Sequence, residues 1–89
     1  MKLDKQQYKI LTEWIAANLI RTERYNHIYQ TGTLKSSFEH SANGFYIDLE
    51  TFNSVLLDCG YIPLNAKDMY WTIKISSRSP AITEYIGVH

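Results

Sequence analysis

The chain contains a single cysteine, Cys59, two prolines, and four glycines that stand apart at positions 32, 44, 60 and 87. A lone cysteine excludes an internal disulfide framework and any cysteine-rich zinc site, and fits a reducing compartment. Isolated glycines build no phosphate-cradling loop, and neither G-x-S-x-G nor H-E-x-x-H occurs. His27, His40 and His89 lack the spacing of metal ligands, so no metal and no cofactor are expected. Neither sign of charge is in excess. Nine basic and nine acidic residues cancel, leaving no overall positive field to gather nucleic acid, so any such binding must come from a local patch. No apolar run approaches the roughly 18 residues that span a bilayer, and the charged start MKLDKQQ leads into an amphipathic stretch unlike a signal peptide. The expectation is a cytoplasmic protein with no membrane partner.

What is present is the material of one core. Eighty-nine residues with 45% apolar and 13% aromatic content make a single domain, 1-89. Asp4 with Gln7 three residues on fits a capping box, and the spacing predicts a helix from about 5 to 23 with Tyr8, Leu11, Trp14, Ile15, Asn18 and Leu19 on its core face. Ile10, Ala17 and Ile20 fall off that face, more apolar surface than one interface needs. Gly32 breaks the chain, Thr33 is a fair N-cap, and Leu34 with Phe38 predicts a short helix over about 34-41, closed by the turn residues Asn43-Gly44. Phe45-Tyr46-Ile47 suits a brief strand. Asp48 then caps a helix over about 49-59 that stops at Gly60, burying Leu49, Phe52, Val55, Leu56 and Cys59 and leaving Leu57 on the outer flank.

The last third reads as strand. In MYWTIKIS, Met69, Trp71, Ile73 and Ile75 alternate with Tyr70, Thr72, Lys74 and Ser76, which sets the first group inward and the second toward solvent. Pairing with 61-64 predicts a hairpin over about 61-76, followed by a tail, 79-89, that is a last strand or frayed. The expected class is therefore α+β, with two to three helices packed on a small antiparallel β-hairpin or three-stranded sheet in a winged-helix-like order.

Leu34-Lys35, Phe38-Glu39, Phe45-Tyr46, Phe52, Gly60-Tyr61 with Pro63, Trp71, Ile75-Ser76 and Arg78-Ser79 form a pattern that resembles small uncharacterised proteins of phages, plasmids and integrative elements in Gram-positive bacteria. The resemblance covers about the second two-thirds of the chain. It implies a mobile-element origin and carries no activity with it. Where those proteins commonly have a small residue, this chain has the bulky pair Leu56-Leu57.

No catalytic constellation stands out. Cys59 falls at the C-terminal end of its helix, where the dipole disfavours a thiolate, and Asp48 with Glu50 is explained as a cap and a first-turn acid. The leading expectation is a non-enzymatic module that binds a protein partner, or itself, through Ile10, Ala17, Ile20 and Leu57. The alternative is a winged-helix-like DNA-binding protein. Its contacts would come from a local patch of Lys35, Lys74, Ser76, Ser77 and Arg78, because the outer face of the 49-59 helix shows Glu50, Ser54 and Asp58, and the two acids would repel phosphate.

Overall fold

The computed structural model describes residues 1–88; His89 lies outside them. Four helices follow in chain order: α1 (Lys5–Asn18), α2 (Thr31–Glu39), α3 (Leu49–Asp58) and α4 (Pro80–Val88). Among the described residues the strand content is one isolated bridge, Arg21 with Ile75. The expected α+β class, with its hairpin and winged-helix-like sheet, is thereby corrected to an all-helical domain in which α1 and α2 each lie against both α3 and α4.

Local signals set the helix starts where they were strong. The Asp4 carboxylate accepts from the Gln7 N–H at 2.8 Å while the Gln7 side chain accepts from the Asp4 N–H at 3.1 Å, a complete capping box. Asp48 accepts from the Thr51 N–H at 2.8 Å. At the far end of α3, Gly60 takes φ +92° and its N–H donates to the Leu57 carbonyl, while Tyr61 donates to that of Leu56. These two bonds form a Schellman stop.

Boundaries moved where tertiary partners compete. α1 ends at Asn18 and not near Glu23, because Leu19 turns extended and the next residues bond elsewhere: Ile20 N–H to the Ser79 hydroxyl, and Ile20 C=O from Ser76 N–H. α2 begins at Thr31, three residues before the expected start. Its first turn is tied to Trp71, whose carbonyl accepts from Thr31 N–H at 3.1 Å and whose N–H donates to the Thr31 hydroxyl at 2.9 Å. Gly32 does not break this helix; a Cβ there would sit 2.7 Å from the Tyr70 ring, so the glycine makes room for that ring.

The stretch read as the principal strand, 69-76, pairs with no regular strand, and it bends at Lys74, where the Ile75 N–H donates back to the Ile73 carbonyl at 3.1 Å. It lies along the 20-31 connection, with bonds from Thr22, Asn26 and Thr31 N–H to the carbonyls of Lys74, Ile73 and Trp71. On its other side the hairpin reduces to one bond, Leu64 N–H to Thr72 C=O at 2.9 Å. Ile73 and Ile75 face inward as expected, but Met69 is 69% exposed and Thr72 is buried, its hydroxyl accepting from the Gln30 amide. Phe45-Tyr46-Ile47 is irregular too: Ile47 is buried, its N–H held by the Glu39 carboxylate at 3.0 Å. The 79-89 region is neither a strand nor a frayed tail across its described part. Pro80 opens α4 at a position where its missing N–H is harmless, and Ala81 and Ile82 enter the core.

The centre is aromatic. Phe38 meets Trp14 and Phe45 edge-on at centroid separations of 5.3 and 5.0 Å, and Trp14 reaches Phe52 at 6.5 Å. Phe38 and Phe52 are fully buried, each contributing roughly 1.5–3 kcal/mol of transfer free energy. This cluster joins α1, α2 and α3 through the inner face of α3, and the outer flank of α3 is turned toward the loop after it.

Candidate functional site

On that outer flank, α3 and the loop at 66-71 enclose a groove of about 420 Å³. Leu49, Leu57, Ala66, Met69 and Trp71 supply its apolar lining, and Glu50 and Asp68 are the charged residues that line it. The amphipathic spacing of α3 explains the near wall: Phe52, Val55 and Leu56 turn inward, which rotates Leu57 out to 51% exposure. The far wall is held by Asn53, whose side-chain N–H donates to the Met69 carbonyl at 3.2 Å. Asn53 is only 6% exposed, and its Oδ1 is buried without a hydrogen-bond partner among the described residues. Such an acceptor is uncommon inside a folded chain, where the missing bond costs about 1–3 kcal/mol.

A second groove, about 570 Å³, runs between the 21-25 connection and the C-terminal end of α3. Arg21 lies 4.0 Å over the Tyr61 ring and donates to the carbonyls of Cys59 and Gly60, so its charge is spent on the negative end of α3. Lys74 lies 5.0 Å over the Tyr25 ring, and Glu23 lines the same groove. Burial raises the Cys59 thiol, Asp58 adds to the rise and Arg21 opposes it. That keeps the sulfur in its neutral, unreactive form.

The expected nucleic-acid contacts are dispersed among structural duties. Lys35 is paired with Glu39 at 3.0 Å and lies near the Tyr46 ring. Ser76 accepts from Arg78 N–H, and the Ser77 hydroxyl accepts from the Asn26 amide. Lys74 and Arg78 are exposed. Of the expected partner contacts, Leu57 lies in the α3 groove, Ala17 and Ile20 are exposed on and just after α1, and Ile10 is half-buried against the core.

No spacing in the sequence marks Leu49, Asn53, Asp68, Met69 and Trp71 as parts of one site. Period-two alternation sent Met69 and Trp71 inward, and the groove exists only because the 61-70 loop folds back toward α3. Among the described residues no three His, Cys, Asp or Glu side chains gather as a metal site, and no helix is long and apolar enough to cross a membrane. No protein-family model, curated protein or solved structure matches the chain.

Proposed function

We propose that this chain is a small non-enzymatic interaction module of mobile-element origin, acting in the cytoplasm, whose protein partner docks in the groove between α3 and the 66-71 loop. The observation that carries this reading is the apolar surface gathered there: Leu57 and Met69 are more than half exposed beside half-buried Leu49 and Trp71. Burying such side chains on association is favourable at roughly 25 cal/mol per Å² of apolar surface before the costs of binding. Nucleic acid has less support, because Lys35, Ser76 and Ser77 are engaged in bonds within the chain.

The test is a pull-down from cells that carry the gene, with and without nuclease, comparing wild type with the Leu57→Ser/Met69→Ser double variant. Both positions are exposed enough for the fold to survive, which circular dichroism verifies. The expected result is a protein retained by wild type, lost by the variant and indifferent to nuclease. Equal capture by the variant, or capture abolished by nuclease, would overturn the reading.

A further inference from the structure

Resting on that reading, we infer that the groove takes a short basic segment of a partner protein: an aliphatic or aromatic side chain flanked by Lys or Arg. The apolar side chain enters between Leu57, Met69 and Trp71, the basic ones meet Glu50 and Asp68, and a backbone N–H reaches Asn53 Oδ1.

Charge complementarity selects the class. The lining carries two carboxylates and no cation. Lys67 belongs to the same loop but not to the lining. Glu50 also sits in the first turn of α3, where the helix dipole favours an acid whatever its neighbours. Asp68 has no such excuse: the turn that holds it uses its backbone N–H, bonded to the Asn65 carbonyl. Carboxylates bordering an apolar groove favour a segment whose cations accompany its anchor and disfavour an acidic one.

Asn53 is the independent observation. Its amide is oriented by the Met69 carbonyl, which takes the side-chain N–H and leaves Oδ1 as the group in need of a donor. A hydrocarbon ligand would leave that acceptor unsatisfied, whereas a peptide brings N–H groups. The oxygen is covered in the free chain, so a donor reaches it only if the groove wall that Asn53 shares with Met69, an unbranched side chain 69% exposed, yields on docking.

Selection of phage-displayed random heptapeptides on the immobilised full chain, followed by fluorescence anisotropy with the enriched synthetic peptides, tests the inference. Enrichment should place Lys or Arg beside Leu, Phe, Met or Trp. Binding should be lost with Leu57→Ser, and should weaken roughly two- to five-fold with each of Glu50→Gln and Asp68→Asn and as salt is raised. The Asn53 side-chain amide resonances should shift on saturation. Enriched peptides without a basic bias, or indifferent to both neutralised carboxylates, would overturn the inference while leaving the docking reading intact. So would a concentration-dependent doubling of mass that Leu57→Ser abolishes, which would make a second copy the occupant. Peptides that bind Leu57→Ser unchanged, or no enrichment at all, would also overturn it, and the pull-down would decide separately whether a folded partner uses the groove.

Discussion

At Gly44 an added Cβ would lie 2.0 Å from the Phe38 carbonyl oxygen and 2.9 Å from that of Glu39, both backbone atoms at the end of α2. At Gly60 the nearest atom is the tip of the Arg21 side chain at 3.3 Å, not backbone, and the main difficulty is the φ of +92°. Gly60→Ala should therefore cost about 1–2 kcal/mol, and Gly44→Ala should cost more, since α2 itself must shift. Urea unfolding of the two variants checks the order. Carboxylates give a second prediction at this scale. Burial pushes the Glu39 carboxyl up, but the Ile47 N–H and the Lys35 ammonium outweigh it and hold the group below its ordinary 4.5. Thr51, through its hydroxyl and its N–H, holds Asp48 below 3.8. Lowered folded values mean that this stability is complete above the unfolded values and is lost as pH falls through the folded ones, so the urea midpoint should decline below about pH 4.5. Glu39→Gln should start lower at neutral pH and decline less; an identical decline in the variant would remove Glu39 as its source.

At the level of elements, the buried Asn26 side chain adds to the backbone bonds that hold the 20-31 connection to the 71-77 segment. The Asn26 amide donates to the Ile75 carbonyl and the Ser77 hydroxyl, while its oxygen accepts from the Ile28 and Tyr29 N–H groups at 3.0 and 2.8 Å. Asn26→Ala leaves these groups without their partner, at about 1–3 kcal/mol for each that stays buried. The expectation is a marked loss of stability, with hydrogen exchange accelerated in 20-31 and 71-77 before it is in α3. Uniform acceleration across the chain would show that Asn26 does not join these two segments in particular. Nothing in the stretch RYNHIYQ marks Asn26 for this role, because Ile75 and Ser77, which its amide N–H groups reach, lie 49 and 51 positions away. α3 was legible for the opposite reason: Asp48, the apolar spacing and Gly60 act within one short stretch. The groove shares both origins, with Leu57 readable from the helix period and Met69 misread because alternation outside a sheet says nothing about burial.

For the whole molecule, α4 decides whether there is a closed core. Ala81 and Ile82 are buried, and the Ser37 hydroxyl on α2 donates to the Ala81 carbonyl. Ile82→Ala should cost about 2–5 kcal/mol, a large share of the 5–15 kcal/mol typical of a domain. A chain ending at Arg78 should lose its cooperative thermal transition. An unchanged melting temperature on truncation would mean that the terminal segment is dispensable after all.

Residue order alone is enough to place the start of α1, both ends of α3 and the inward positions Phe52, Leu56, Ile73 and Ile75. Caps, turns and periodicity are local, and each acts within a few residues of the group it satisfies. Tertiary structure alone decided that 71-76 runs along the 20-31 connection instead of forming a hairpin, that α1 stops at Asn18, that 80-88 is helical, and that a groove opens beside α3. The physical reason is hydrogen-bond satisfaction. An extended segment must find partners for its backbone, and a period of two shows that partners are needed without showing whether a strand, a loop or a threonine hydroxyl supplies them.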